Sequence, residues 1–316
     1  MSEFREGTPE QVAFLDRMVD TGLLTRTGIH GVYARSKAFE DVRLGFDAFI
    51  TRAAAPEAPV PLYFPPIFPR KHMERSGYLE SFPHLAGTVF GFEGDEAAAA
   101  EQAEAASRNE DWSTHQHQTD MVLAPAACYQ LYPAMAQRGP VPRDGYILDT
   151  GDAYVFRREP SNDPSRMQIF HMREIVRIGD RETVLEWRTS WRARAEELLK
   201  SLGLDLTLDI ANDPFFGRVG RLLAAQQRDQ ELKWELLAPV AGDKLTAIAS
   251  SNYHQDHMGE TYDLLLESGE RAHTGCMAFG EERVTLALFA AHGFDTGEWP
   301  AEVRQKLTLG EVGALA

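Results

Sequence analysis

The stretch Met167–Ile178, MQIFHMREIVRI, predicts the β-strand around which we expect the fold to form. Successive side chains of a strand point to opposite faces. One face therefore carries Gln168, Phe170, Met172, Glu174, Val176 and Ile178. This row is mostly apolar, so we expect it to face the core, and Glu174 interrupts it. Burying an ionised carboxylate without compensation is costly, so Glu174 predicts a basic residue, a proton or a metal ion beside it.

The chain contains two cysteines, Cys128 and Cys276. Both are soft ligands that can complete a metal site with Glu174. Two cysteines do not make a disulfide framework, and in a reducing compartment they stay thiols. Cysteine is also among the residue types most often buried without any further role. The residues alone therefore leave open a metal site, a disulfide bond, and two buried thiols beside a salt-bridged glutamate.

Length and composition indicate an ordinary globular protein. The chain has 316 residues, of which 43% are hydrophobic, and we interpret residues 1–316 as a single domain. Its start is polar, and it has no apolar run of the roughly 20 residues that span a bilayer, so we expect a cytoplasmic protein that does not enter the membrane. The net charge of −16 opposes sequence-independent binding to nucleic-acid backbones.

Hydrophobic spacing and capping residues predict helices over residues 9–20, 36–53, 181–201, 216–230 and 281–292. Asp180 is expected to cap the third of these helices, and the Ala/Glu-rich segment 95–108 is interpreted as an exposed helix or a mobile segment. Strands are predicted at residues 121–124, within 146–159 on both sides of a turn at 149–152, and at 167–178, 204–210, 231–240, 244–253, 261–268 and 271–279. We therefore expect an α+β fold in which helices flank a largely antiparallel sheet, after a helical region over about residues 1–58.

Four motifs occur in a fixed order. They are PPIFPRKHMERSGYLESFP at 65–83, FRRE at 156–159 followed by RMQIFHMRE at 166–174, the pair Ser251-Asn252, and GCMAFGEERVTLAL at 275–288. Together they resemble the catalytic core of class II aminoacyl-tRNA synthetases, closest to the seryl enzymes. The similarity runs from about Leu62 to Gly293, and it implies an antiparallel sheet that binds ATP with Mg²⁺.

The resemblance also implies roles for individual residues. Arg157 and Arg283 are the expected catalytic residues, with Arg157 on the α-phosphate and Arg283 clamping the nucleotide. A fixed guanidinium meets phosphate oxygens bidentately. Glu159 is expected to bind the adenine amino group and Phe170 to stack on the ring. Further nucleotide contacts are expected from Arg166, Met167, Lys233, Ala247, Ile248, Ala249 and Ser250. The alternatives that involve no function are a salt bridge between Arg157 and Glu159 and an ordinary helix position for Arg283.

Departures from the seryl pattern separate this chain from tRNA-charging enzymes. The N-terminal helical arm that grips tRNA is not expected here, and the loop at 160–165 is short. Where the seryl enzymes have Thr-x-Glu, this chain has Ala126-Ala127-Cys128. The resemblance implies that Cys128, Glu174 and Cys276 bind zinc, and that zinc holds the amino group of a substrate contacted by Cys128, Glu174, Ser251 and Asn252. His254 and His257 are not assigned to this metal site.

This combination resembles the amino acid:[carrier protein] ligases. The resemblance implies ATP-dependent activation of glycine or alanine, transfer to the phosphopantetheine thiol of an acidic carrier protein, no tRNA partner, and a homodimer. Arg221 and Arg228 on the helix 216–230 are expected to dock the carrier. The Mg²⁺-binding glutamate of the seryl enzymes is missing, and Glu235 is the candidate substitute. A synthetase-like enzyme that charges another acceptor and a non-catalytic amino-acid-binding regulator remain as alternatives.

Overall fold

The computed structural model describes residues 4–214, 222, 224–225, 227–242 and 244–310. Its α-helices, outside the region 215–230, are Pro9–Asp20, Lys37–Ala54, Arg70–Arg75, Tyr78–Ser81, Glu96–Ser107, Leu131–Ala136, Arg181–Lys200, His257–Tyr262, Glu281–His292 and Ala301–Lys306. Residues 227–229 are also helical. The rest of the expected helix 216–230, including Arg221, lies largely outside the described residues. The other predicted helices are confirmed to within about a residue at each end.

An eight-stranded sheet forms the centre of the fold. Its strands are β3 (Val60–Pro61), β7 (Tyr146–Asp149), β8 (Ala153–Phe156), β9 (Ile169–Gly179), β10 (Thr207–Ile210), β11 (Lys233–Ala241), β12 (Lys244–Gln255) and β13 (His273–Gly280). The order is β10-β11-β12-β13-β9-β7-β3, and β8 also pairs with β9. Every pairing is antiparallel except β3 with β7. The expected antiparallel α+β architecture is therefore confirmed.

Two smaller sheets complete the strand content. β1 (Leu24–Arg26) pairs with β2 (Tyr33–Arg35), and β4 (Ile67–Pro69) and β5 (Thr88–Phe92) both pair with β6 (Gln116–Leu123). Helices Lys37–Ala54 and Glu281–His292 contribute to the largest hydrophobic cluster, together with β9 and β13. Among the described residues, no helix has the length and apolar character needed to cross a lipid bilayer.

Strand β9 is buried on both of its faces along most of its length. The face predicted from the sequence carries Phe170 and Glu174, as expected. The opposite face was not recognised as buried, because it carries His171 and Arg173. His171 Nδ1 lies 2.7 Å from a carboxylate oxygen of Glu282. The guanidinium of Arg173 binds Asp149, Asp47 and Thr51. Polar residues that pair with one another can thus occupy a buried strand face that hydrophobic alternation alone assigns to solvent.

Local signals account for several helix boundaries. Asp180 caps Arg181–Lys200 by accepting a hydrogen bond from the Thr183 N–H at 2.9 Å. Thr8 and Gln11 form a reciprocal capping box at the start of Pro9–Asp20. Asp95 caps Glu96–Ser107, which has no buried residue. The exposed-helix interpretation of this Ala/Glu-rich segment is therefore confirmed.

The predicted strand at residues 261–268 is wrong. The helix His257–Tyr262 occupies the start of this stretch and ends at Asp263, whose φ is 58°. Its buried residues Met258 and Tyr262 lie one helical turn apart, and a Cβ on Gly259 would lie 2.2 Å from a backbone oxygen of Ala272. The close approach of the two backbones favours the helix over a strand. The apolar residues after the helix form only isolated β-bridges.

Candidate active site

One cavity lies over the face of β9, β12 and β13 that carries Glu174. Cross-strand register builds this face, because Glu174 pairs with Ala278, and Cys276 pairs with both Val176 and Asn252. Paired residues of antiparallel strands project to the same side. The cavity is lined by most of the residues predicted from the sequence, namely Cys128, Arg157, Phe170, Glu174, Lys233, Ala247, Ile248, Ala249, Ser250, Asn252, Cys276 and Arg283.

Four predicted residues are not among those that line the cavity: Glu159, Arg166, Met167 and Ser251. Ser251 is fully buried next to Asn252 on β12, so its side chain lies on the opposite face of the sheet. Met167 is part of the main hydrophobic cluster. Glu159 and Arg166 instead bind each other at 2.8 Å on the loop beside the cavity.

Arg157 follows strand β8 and enters the cavity beside Phe170. Its Nε donates to the Pro125 carbonyl at 3.0 Å, and its guanidinium carbon lies 5.7 Å from the centre of the Phe170 ring. The salt bridge with Glu159 that we considered as an alternative does not form, since Glu159 pairs with Arg166 instead. Among the described contacts, the terminal nitrogens of Arg157 make no hydrogen bond and are available to an anionic ligand.

Arg283 lies in the first turn of Glu281–His292, and backbone carbonyls hold its guanidinium from two sides. Its Nε donates to the Ser165 carbonyl at 2.8 Å, and its Nη1 donates to the Ala247 carbonyl at 3.0 Å. Burial lowers the pKa of Arg283, and the nearby charges of Arg166 and Arg157 lower it further. Three guanidinium groups thus meet beside this cavity, which favours binding of an anion.

Cys128, Glu174 and Cys276 come together at the other end of the cavity. Their possible ligand atoms all lie within 4.8 Å of one another, and all three residues are buried. Cys128 lies in the 3₁₀ helix Ala127–Gln130, and its N–H donates to Glu174 Oε1 at 3.1 Å. Both cysteines are free thiols, so the disulfide alternative is not the arrangement observed. Two thiols and a carboxylate are a donor set that can hold a metal ion.

The electrostatics of the cysteines follow from this crowding. A hydrogen bond with Cys276 favours the Cys128 thiolate, but burial and the charge of Glu174 outweigh it and raise the pKa of Cys128. The pKa of Cys276 is well above its usual value, because its hydrogen bond with Cys128, burial and Glu174 act in the same direction. Without a cation, three adjacent anionic groups are unfavourable.

Sequence reasoning missed part of the surroundings of this cluster. Asn252 was predicted as a substrate ligand, but its Nδ2 donates to Cys276 Sγ at 3.3 Å. His254 also lines the cavity, with Nε2 3.8 Å from the same sulfur and Nδ1 3.0 Å from Thr274 Oγ1. Burial lowers the pKa of His254 to about 4, so its imidazole is neutral near pH 7. Strand period, which puts Asn252 and His254 on one face, was the available signal.

Acidic residues surround Lys233 at the edge of the cavity. Its Nζ contacts Asp213 and lies 3.3 Å from Glu235 Oε1. Burial lowers the pKa of Lys233, but the charges of Asp213 and Glu235 outweigh it and raise the pKa above its ordinary value. Glu235, the candidate Mg²⁺ ligand, also lines the cavity. The Glu235 carboxylate therefore lies near the residues proposed to bind the nucleotide, and it forms an ion pair with Lys233.

Sequence comparison finds similar proteins over nearly the whole chain. No protein-family model matches. Amino acid--[acyl-carrier-protein] ligase 2 of Bradyrhizobium diazoefficiens is 43% identical over 307 residues, which cover 97% of this chain and 91% of that protein. Ligase 1 of the same organism is 44% identical over 298 residues, which cover 93% and 90%. The type-2 serine--tRNA ligase of Methanopyrus kandleri is 26% identical over 204 residues, covering 59% of this chain and 37% of that protein.

Solved structures with the same fold include seryl- and prolyl-tRNA synthetases. M. kandleri SerRS, in complex with A. aeolicus tRNASec, has a TM-score of 0.81 at 20% identity, and the match covers 93% of this chain and 60% of that chain. Pyrococcus horikoshii seryl-tRNA synthetase complexed with ATP has a TM-score of 0.67 at 16% identity and similar coverage, 93% and 62%. The class II synthetase fold expected from the sequence is confirmed, and the chain spans about three fifths of the length of these synthetases.

Proposed function

Because the chain belongs to the amino acid--[acyl-carrier-protein] ligases, we propose that it activates glycine or alanine with ATP and transfers the aminoacyl group to the phosphopantetheine thiol of a carrier protein. One observation supports this proposal most directly. A single cavity has arginines at one end and the Cys128–Glu174–Cys276 cluster at the other. An amino acid and a nucleoside triphosphate can therefore meet within it.

At the arginine end, we assign ATP and its Mg²⁺ ion. Arg157 contacts the α-phosphate through its terminal nitrogens, because its Nε is already held by a backbone carbonyl. Phe170 lies beneath this guanidinium and presents a ring face on which adenine stacks. Arg283 closes the other side. Attack of the substrate carboxylate on the α-phosphorus forms the aminoacyl-adenylate and releases pyrophosphate, and fixed guanidinium groups stabilise the charge that develops on the phosphate oxygens.

At the cysteine end, we assign zinc to Cys128, Glu174 and Cys276. The ligand types fit zinc, and three protein ligands leave a fourth position for a substrate amine. When bound, zinc supplies a Lewis acid that holds the amino group and neutralises the three anionic ligands. The protein orients the cluster through the Cys128 N–H on Glu174 and the Asn252 amide on Cys276. Such supporting hydrogen bonds commonly fix metal ligands.

The transfer step requires a docking surface for the carrier. We retain Arg221 and Arg228 as the proposed contacts, although Arg221 lies outside the described residues. Arg228 is exposed, as docking requires. The carrier's thiol attacks the mixed anhydride, forming a thioester and releasing AMP. Charge reversal by Arg221→Glu with Arg228→Glu should abolish transfer but keep adenylate formation. Arg138→Glu with Arg143→Glu, at two other exposed arginines, is the matched control.

Two experiments test the reaction and its acceptor. ATP/pyrophosphate exchange with a panel of amino acids should be stimulated by glycine or alanine alone. Acylation should then label a phosphopantetheinylated carrier and leave tRNA unlabelled. Exchange followed by labelling of tRNA would favour the alternative acceptor. No exchange with any amino acid would refute the enzymatic proposal and favour a non-catalytic amino-acid-binding regulator.

The family resemblance also leads us to propose a homodimer. Light scattering coupled to size-exclusion chromatography should give a mass of twice the 35.3 kDa chain, and a monomer at micromolar concentration would contradict it. The single-domain organisation and the cytoplasmic location remain predictions.

A further inference from the structure

The segment before the first helix lies along the loop that joins Glu159 to Arg166. The N–H of Arg5 donates to the Pro160 carbonyl at 3.1 Å, and the Arg5 carbonyl accepts from the Asn162 N–H at 3.1 Å. The Ser161 hydroxyl donates to the same carbonyl at 3.1 Å. This short parallel bridge ties the loop to a part of the chain more than a hundred residues away in sequence.

A buried side-chain pair continues this connection. Gln11 Nε2 donates to Asp163 Oδ2 at 2.7 Å, and both residues are almost fully buried, with 3% and 5% of their surface exposed. The other oxygen of Asp163 accepts from the Ser165 N–H at 2.9 Å and from its hydroxyl at 2.6 Å. Asp163 therefore fixes the second half of the loop from within, since a buried carboxylate requires its donors.

The loop in turn contacts the proposed nucleotide clamp. The Ser165 carbonyl accepts from Arg283 Nε at 2.8 Å, two residues along the chain from Asp163. Arg166, the next residue, binds Glu159 at 2.8 Å. A continuous series of hydrogen bonds thus runs from Gln11 through Asp163 and Ser165 to Arg283. None of the first three residues lines the cavity.

We propose that the Gln11–Asp163 hydrogen bond positions Arg283 for the nucleotide, which makes Gln11 and Asp163 positioning residues for ATP. This inference rests on the proposed function, in which Arg283 contacts ATP. The short loop is held by the protein's own N-terminal segment through residues that do not line the cavity, so the guanidinium is oriented before the nucleotide arrives. Preorganisation of this kind improves binding without a new contact to the ligand.

The pair offers a reciprocal test because its donor and acceptor can be exchanged. Gln11→Glu places two buried carboxylates face to face, and Asp163→Asn leaves an amide donor without an acceptor. When both substitutions are combined, the new amide at position 163 donates to the new carboxylate at position 11. That carboxylate still accepts from the Thr8 N–H, which bonds Gln11 Oε1 at 2.8 Å in the wild type. The oxygen of the new amide still accepts from Ser165. Every hydrogen bond of the pair is therefore preserved, and the bond between the two side chains is reversed in direction.

The measurements are the KM for ATP and the kcat in pyrophosphate exchange, together with the urea midpoint of unfolding. Each single variant should raise the KM for ATP by about 10-fold, with a smaller change in the KM for the amino acid, and the double variant should return to within about threefold of the wild type. Asp180→Ala, which removes the cap of Arg181–Lys200, is the control for loss of stability alone.

The proposal is overturned if the single variants lower the urea midpoint as Asp180→Ala does while keeping the wild-type KM for ATP. It is also overturned if the double variant restores neither the KM for ATP nor the urea midpoint. These outcomes leave the proposed function intact, because wild-type exchange is measured in the same series. Wild-type protein with neither exchange nor an ATP-dependent rise in melting temperature would refute the proposed function, and the positioning role with it.

Discussion

The substitution Glu174→Gln tests the zinc assignment at its most specific residue. Glu174 is 2% exposed, and its Oε1 accepts the Cys128 N–H at 3.1 Å. Glutamine has nearly the same shape and keeps that acceptor, so the 3₁₀ helix Ala127–Gln130 should stay in place. What it removes is the anionic ligand beside the two sulfur atoms. One substitution can therefore distinguish an effect on the proposed metal site from an effect on the fold.

The expected effect is large for zinc and small for folding. Loss of a partner that only supports a metal ligand costs about 10- to 100-fold in affinity. Removing one of three direct ligands should therefore lower zinc affinity by at least about 100-fold, or about 2.8 kcal/mol at 1.4 kcal/mol per tenfold change. The metal-free variant should differ in unfolding free energy from the metal-free wild type by about 1 kcal/mol or less, because the hydrogen bond to Cys128 is kept.

Zinc content is measured by elemental analysis after dialysis, and affinity by competition with a chromogenic chelator. Exchange with glycine and alanine is measured on the same samples, and both activities should fall with zinc occupancy. Glu57→Gln is the matched control, because Glu57 is a partly buried carboxylate that accepts from the indoles of Trp187 and Trp191 away from the cavity. A Glu174→Gln protein with full zinc occupancy would refute the assignment.

Three further outcomes follow from the site. Tyr78→Phe should leave the unfolding free energy unchanged or slightly higher, because the buried Tyr78 hydroxyl has no hydrogen-bond partner among the residues that the structure describes. Tyr262→Phe should lose about 1 kcal/mol, because its hydroxyl donates to a backbone carbonyl at 3.0 Å. Equal urea midpoints for both variants would contradict this. Burial raises the pKa of Asp213, but Lys233 outweighs it and lowers the pKa below its ordinary value. The stability from this ion pair is then present above the unfolded pKa of about 3.9 and is lost as the pH falls through the lower folded pKa. Asp213→Asn should therefore reduce the loss of stability at acid pH. A pH dependence equal to that of the wild type would count against the ion pair. Arg157→Lys should lower the kcat of exchange by about 100-fold, because an ammonium cannot reproduce a held bidentate donor, and a rate within about threefold of wild type would remove Arg157 from the mechanism.

Features that depend on nearby residues could be predicted from the sequence. The caps at Thr8 and Asp180 lie within three residues of the N–H groups they bind, so their helices begin where expected. Strand alternation also depends only on nearby residues, and it correctly places Phe170 and Glu174 on one face. Alternation was also sufficient to separate Ser251 from Asn252, because adjacent residues of a strand face opposite sides. Assigning both to the substrate disregarded that rule.

Features that depend on distant partners could not be predicted in this way. Gln11 and Asp163 are 152 residues apart, and nothing in either local sequence identifies the other. Arg173 occupies a buried face because Asp149 and Asp47 come from other elements to pair with it. The helix at His257–Tyr262 forms beside a close backbone approach at Gly259 that the local pattern does not encode. Each case requires tertiary packing to override local preference.

Strand β9 determines the distance between the two proposed substrates. Phe170 and Glu174 are four residues apart on one face, which at about 3.3 Å per residue separates them by about 13 Å along the strand. Because β9 is buried on both faces, and Arg173 is bound by Asp149, Asp47 and Thr51 between these positions, the strand cannot slide or bend without breaking buried ion pairs. The spacing between the proposed adenine platform and the proposed metal cluster is therefore a property of the folded sheet, whereas the orientation of Arg283 is set by other contacts. The two backbone contacts of Arg283 join the loop tied to Gln11 to strand β12, so its guanidinium is held from both sides before any substrate binds.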